Sequence, residues 1–176
     1  MDSKELESRM KRVRIVLMDL DGVLTDGHVV YGDYGDELKF YDIQDGMGID
    51  LLRQGSILTV IVSGRKSRVN TRRAKELKIS GIYQGVNDKL KVFAKLLKKH
   101  GVGPDEVCCI GDDLVDIPIM SRSGFAAAVQ NAVPEVKAVA QFVTTKPGGR
   151  GAVREIADRI LRAQGKWQAV TQKYSA

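Results

Sequence analysis

Three apolar runs in this chain stop abruptly in polar, glycine-containing motifs, and that repetition narrows the choice of fold more than any other feature. Val13–Leu20 runs into Asp19, Asp21 and Gly22, Ile57–Val62 into Ser63-Gly64-Arg65, and Val107–Ile110 into Gly111-Asp112-Asp113. Short runs of this composition read as buried parallel strands. Between them lie helical patterns, the clearest being Asp88–His100 with Leu90, Phe93, Ala94, Leu96 and Leu97 on one face. Further helices are expected at residues 1–12, Gly46–Gln54, Ser67–Lys78, from Asp113, at Pro134–Ala140 and at Arg150–Gln164. Further strands are expected at Ile82–Gln84, Phe125–Val129 and Phe142–Thr144. Strands alternating with helices predict an α/β fold with a doubly wound parallel sheet, covered on both faces. Right-handed crossovers then bring Asp19, Ser63 and Asp112 to one edge of the sheet, the edge at which such sheets bind ligands.

Two carboxylates at the end of a buried strand are expensive unless something offsets them. Asp19 and Asp21 are spaced i, i+2, so in extended chain they point to the same side. A divalent cation shared between them would relieve their repulsion; the plainer alternative is a pair of Asx-type turn formers. Ser63 could cap the next helix, and Asp113 and Asp116 could be charges at a helix start. Taken in order, the polar residues also supply what phosphoryl transfer needs. Asp19 can attack phosphorus, and Asp21 can give the leaving oxygen a proton and later take one from water. Hard oxygen donors at Asp19 and Asp112, with a backbone carbonyl, suit Mg²⁺. Ser63, the N–H groups near Gly64, and Lys89 can hold the phosphoryl oxygens.

Size and composition agree with one domain spanning residues 1–176, with a hairpin at 28–42 and a tail at 146–176. No apolar run is long enough to cross a bilayer, and the charged start MDSKELESRMKRVR lacks the apolar core of a secretory signal, so a cytoplasmic protein is expected. The net charge of +6 comes from scattered Lys and Arg without aromatic interleaving. That pattern points to solvated helix faces and an anionic small-molecule substrate, with no nucleic-acid or membrane partner. Adjacent Cys108 and Cys109 lie in an apolar run and read as reduced core residues. HVVYGDYGDELKFYD, His28–Asp42, alternates around a glycine-rich turn and reads as a β-hairpin. Its apolar residues would be costly in water, and an isolated hairpin is marginal, so a neighbouring surface is expected to cover it.

DLDGVLTDG, SGR, Lys89 and GDDLVD, in this order, resemble the motifs of the haloacid dehalogenase phosphatase superfamily. The resemblance runs the length of the chain and implies a Rossmann-like fold, with Asp19 as nucleophile, Asp21 as acid and base, and Mg²⁺ held by Asp19, Asp21 and Asp112. It makes Asp113 and Asp116 supporting groups that orient metal waters or Lys89. The segments YGDYGDELKFYDIQDGMGIDLL, GRKSRVNTRRAKEL, YQGVNDKL and KPGGRGAVREIADRILRAQGKW are similar to one branch, the capless 3-deoxy-D-manno-octulosonate 8-phosphate phosphatases. That branch implies a homotetramer built through the hairpins, a substrate loop Asp42–Gly46 (Asp42, Gln44, Asp45, Gly46) given by a neighbouring subunit, and a glycine-rich tail that reaches an adjacent site. It also implies that Arg65 and Arg73 hold the sugar acid, with Arg150 of the tail in contact with it. Gln44 and Asp50 depart from the basic residues common there. A nine-carbon ulosonate 9-phosphate is therefore the alternative substrate, and a non-catalytic module of a sugar-activating enzyme the alternative of another class.

Overall fold

The structure is a computed structural model and describes residues 2–35 and 37–174. Six parallel strands form the sheet: β1 (Ile15–Met18), β4 (Leu58–Ser63), β5 (Gly81–Gln84), β6 (Val107–Gly111), β7 (Phe125–Ala128) and β8 (Phe142–Val143). Their spatial order is β5-β4-β1-β6-β7-β8. β1 lies in the middle, in register with Leu58–Ile61 on one side and Val107–Ile110 on the other. The chain winds outward from β1 in one direction and then the other, so the crevice between β1 and β6 is the topological switch point. All four residues of β1 are buried, as its apolar run requires of a central parallel strand.

Helices cover both faces: α1 (Ser3–Arg12), α2 (Ile43–Gln54), α3 (Arg68–Glu76), α4 (Lys89–His100), the short α5 (Ile117–Met120) and α6 (Pro134–Val139), α7 (Ala152–Ala163) and α8 (Trp167–Thr171). α7 buries Val153, Ile156, Ala157, Ile160 and Leu161, one stripe at helical spacing, and packs against α2. β2 (Val30–Tyr31) and β3 (Glu37–Leu38) pair antiparallel outside the main sheet, as a hairpin anchored by a Thr25–Tyr41 bridge. No inserted cap domain occurs among the described residues, and no helix there is long and apolar enough to cross a membrane.

The expected elements are present, with informative shifts at their ends. β1 stops at Met18 because the Leu20 carbonyl turns to accept the N–H groups of Leu24 and Thr25. The glycine-rich tail is anchored in its own chain. Gly149 N–H donates to the Val23 carbonyl at 2.9 Å, Gly148 N–H donates to Asn131 Oδ1 at 2.8 Å, and the helix that follows is core. The loop Asp42–Gly46 is likewise no loop. Asp42 caps α2 by accepting from Gln44 N and Asp45 N, and the helix starts at Ile43.

Candidate active site

The carboxyl ends of β1, β4 and β6 converge with the start of α4. Beyond β1 the chain is tied into a tight loop by Thr25, whose Oγ1 accepts from Gly22 N (3.2 Å) and Gly27 N (3.3 Å). Gly22 sits at φ +99°, and a Cβ there would stand 2.0 Å from Asp112 Oδ2, so only glycine lets the β1 and β6 loops close on each other. Asp88 caps α4 by accepting from Leu90 N and Lys91 N, which leaves Lys89 on the first turn facing inward. Its ammonium donates to Asp19 Oδ1 at 2.8 Å and to Asp116 Oδ1 at 2.6 Å, and all three residues are buried. The other Asp116 oxygen accepts from Asp112 N (3.2 Å) and Asp113 N (3.4 Å). Asp116 therefore holds Lys89 and the β6 loop in place together.

Carboxylates outnumber cations in this pocket. Oxygens of Asp19, Asp112 and Asp116 lie within 4.8 Å of one another. Burial, then Asp116, pushes the Asp19 pKa up to about 6. Burial, then Asp19, Asp116 and Asp113, pushes Asp112 up to about 8. Burial by itself would depress Lys89, but Asp19 and Asp116 outweigh it and hold the ammonium above its ordinary pKa. Asp112 Oδ1 and Asp21 Oδ2 are buried without a hydrogen-bond partner among the described residues. The orphaned Asp112 oxygen, clustered with the Asp19 and Asp116 carboxylates, belongs to the donor set of a hard divalent cation and fits Mg²⁺. Ser63 ends β4, buried, with its Oγ accepting from Arg65 N at 3.2 Å; Gly64 next to it is exposed.

The residues expected to touch substrate divide into two groups. Arg65 faces the catalytic loop, its Nε 3.8 Å from Asp21 Oδ2. Gln44 and Arg150 come together on a cleft of about 420 Å³ that Phe40 and Tyr41 also line. Asp45 is corrected by the structure, and the others are held by contacts within the chain. Asp45 is 1% exposed and accepts from Arg154 N (2.8 Å) and Gly151 N (3.1 Å), so it caps α7 and cannot reach a ligand. Gly46 is buried against the Arg73 guanidinium. Arg73 donates to Glu76 and to the Asp42 carbonyl and lies over the Tyr41 ring, clamping α3 to α2. Asp113 accepts from Leu114 N, and Lys89 bonds to Asp19 and Asp116 instead. Two charged residues that sequence reasoning passed over do reach the site: Lys39 donates to Asp21 Oδ1, with Glu37 beside it. Strict alternation in ELKFY, which sends Glu37 and Lys39 to the face opposite Leu38 and Phe40, was the available signal.

The profile of the haloacid dehalogenase-like hydrolase family matches residues 76–156. The chain is 40% identical over 164 residues to the 3-deoxy-D-manno-octulosonate 8-phosphate phosphatase KdsC of Escherichia coli K12, covering 93% of this chain and 87% of that one. It belongs to this phosphatase family, within the haloacid dehalogenase superfamily. It is accordingly a phosphoric monoester hydrolase whose cofactor is Mg²⁺. The phosphatase of the same name from Moraxella catarrhalis, crystallised with a magnesium ion, a phosphate ion and KDO, superimposes with a TM-score of 0.95 at 40% identity, over 98% of this chain and 99% of that one. The Yersinia pestis phosphatase gives 0.92 at 40% identity, over 93% and 89%.

Proposed function

We propose that this chain hydrolyses 3-deoxy-D-manno-octulosonate 8-phosphate through an aspartyl-phosphate intermediate. The observation that carries the reading is the Lys89 bridge. It engages one oxygen of Asp19 and leaves the other available, beside the orphaned Asp112 Oδ1. Asp19, Asp112 and the backbone carbonyl of Asp21 would hold Mg²⁺, which when bound neutralises charge on the phosphoryl oxygens and on the carboxylates. Asp19 attacks phosphorus in line; the phosphorus–oxygen bond to the sugar breaks, and Asp21 gives that oxygen a proton. Asp21 then takes a proton from water, whose oxygen attacks phosphorus and frees Asp19 and inorganic phosphate. Ser63, the N–H groups near Gly64 and the Lys89 ammonium hold the phosphoryl oxygens throughout. Asp116 keeps Lys89 aimed and touches no substrate.

The eight-carbon acid is favoured by the relatives that share the whole chain, and Arg65, at the catalytic loop, can hold its carboxylate. One motive for a nine-carbon substrate is weak. Asp50 lies on α2 and is engaged by Arg53 and Gln54, so its charge is already balanced. The outward apolar face of the hairpin supports assembly as a homotetramer, which sedimentation should detect. The functional test is Asp19→Asn: it should fold normally and release no phosphate from the sugar-acid phosphate. Full turnover by that variant would refute the nucleophile, and a higher kcat/KM on a nine-carbon 9-phosphate would refute the substrate.

A further inference from the structure

The hairpin is inside out. Leu38 is 56% exposed and Phe40 66%, while the Lys39 side chain between them is fully buried. Alternation along the strand turns Glu37 and Lys39 to the same inward face. There they complete a closed ring of alternating charge. Lys39 Nζ lies 2.5 Å from Asp21 Oδ1 and 3.5 Å from Glu37 Oε1. Glu37 Oε1 lies 3.3 Å from Arg65 Nη2, and Arg65 Nε lies 3.8 Å from Asp21 Oδ2. Tyr31, from the opposite strand, accepts from Arg65 at 2.9 Å. A flexible lysine on a two-stranded hairpin ordinarily extends into water, where its charge is best solvated. Burying it here beside two carboxylates has no evident value for the core, because the hairpin lies outside the main sheet.

The ring's position suggests its use. Asp21 handles the proton of the leaving oxygen, so the leaving group lies against whatever surrounds Asp21, and those groups are Lys39, Glu37 and Arg65. Two cations and one carboxylate suit a hydroxylated acid: a carboxylate for a guanidinium, sugar oxygens for the ammonium, a hydroxyl for Glu37. We propose that the inward face of the hairpin is the leaving-group subsite of its own subunit, in which Lys39 holds the sugar oxygen next to the scissile bond and Glu37 sets Lys39 and Arg65 in position. This rests on the functional reading above and extends it, since a chain without a cap then closes part of its site with its own hairpin, before any neighbour contributes.

The experiment compares kcat/KM on 3-deoxy-D-manno-octulosonate 8-phosphate with kcat/KM on p-nitrophenyl phosphate, whose leaving group offers no hydroxyls. Lys39→Met should lose about 10–100-fold on the sugar-acid phosphate, the range expected for one hydrogen bond from a charged group. Its loss on p-nitrophenyl phosphate should be at least about tenfold smaller, and Lys39→Arg should recover part of the difference. Glu37→Gln, which keeps the shape of the ring, should raise KM for the sugar-acid phosphate more than it lowers kcat. Melting temperatures with Mg²⁺ present separate these effects from misfolding; if Lys39→Met does not fold, Glu37→Gln alone decides. Equal losses on both substrates would mean that Lys39 acts only through Asp21, and would overturn the subsite, as would no loss on either. A wild type inactive on the sugar-acid phosphate refutes the substrate assignment and not the subsite; the same ratio is then read on whichever sugar phosphate it hydrolyses.

Discussion

Replacing Asp112 by asparagine should stabilise the metal-free protein. Without a cation this half-buried carboxylate stands beside Asp19, Asp116 and Asp113, and its pKa stands at about 8 against 3.8 for a free side chain. Burial is the largest cause and the neighbouring carboxylates come next, with Lys89 offsetting only part. An acid whose folded pKa lies above its unfolded one binds a proton more tightly in the folded state. Metal-free stability therefore falls as pH rises from about 4 to about 8. At neutral pH roughly three pH units of that window have been crossed, at ~1.4 kcal/mol each, an upper bound of ~4 kcal/mol. Relaxation and water entering the crevice return much of it and leave ~1–2 kcal/mol. For a chain of this length that corresponds to about 2–8 °C in melting temperature. In chelator near neutral pH, Asp112→Asn should melt above wild type by an amount in that range, and the gap should close below about pH 4. Millimolar Mg²⁺ should raise the wild type and leave the variant almost unmoved, reversing their order. Differential scanning calorimetry at several pH values, with and without Mg²⁺, measures all of this. A variant that melts below wild type in chelator, or an equal Mg²⁺ response in both proteins, would refute the electrostatic account of the crevice.

Lys89→Met removes the ammonium between Asp19 and Asp116 and should cost about 3–5 kcal/mol, because it leaves buried carboxylates unpaired; urea unfolding should show this, and adding Asp116→Asn should recover part of it. Asp45→Ala leaves the N–H groups of Gly151 and Arg154 without their acceptor, at about 1–3 kcal/mol each. At temperatures where that variant is folded its kcat/KM should stay near wild type, and a large kinetic loss there would return Asp45 to the binding site. Gly148→Ala would set a Cβ 1.7 Å from the Gly22 carbonyl oxygen, so it should destabilise by about 1–3 kcal/mol and lower kcat by displacing the loop that carries Asp19 and Asp21.

What could be read from sequence follows local physics. The sheet, its order of elements and the convergence of Asp19, Ser63 and Asp112 rest on apolar periodicity and handedness, which act within short stretches or through general rules; Lys89 is placed by its motif context. Residues whose role depends on a distant partner were misread. Asp45 and Gly46 follow Asp42 in DIQDG, a pattern open either to a ligand loop or to a helix start. The choice turns on the N–H groups of Gly151 and Arg154, more than a hundred residues later, and nothing local announces them. Arg73 likewise takes partners far off in sequence, a carbonyl and a ring next to the start of α2, while also lining a cleft with Gly46 and Asp50. Lys39 is the converse case. Its burial could not be inferred from composition, because a lysine in a hairpin is ordinarily solvated, and only the carboxylates of Asp21 and Glu37 make burial tolerable.

Those partners also offer a way to shield the site from bulk water where the described residues include no inserted cap. The hairpin divides its duties by strand alternation. Its inward residues, Glu37 and Lys39, are matched charge for charge to Asp21 and Arg65, so they are satisfied within one subunit. Its outward residues, Val30, Leu38 and Phe40, are exposed and are satisfied only by another apolar surface. An ion ring by itself is a weak closure, since exposed pairs are screened by salt and contribute little. Covering the outward face would dry the ring beneath it and strengthen each of its contacts. If the proposed assembly and the proposed leaving-group subsite both hold, they would be coupled through the same two short strands: the apolar face would set how dry the charged face is, and the charged face where the sugar acid lies.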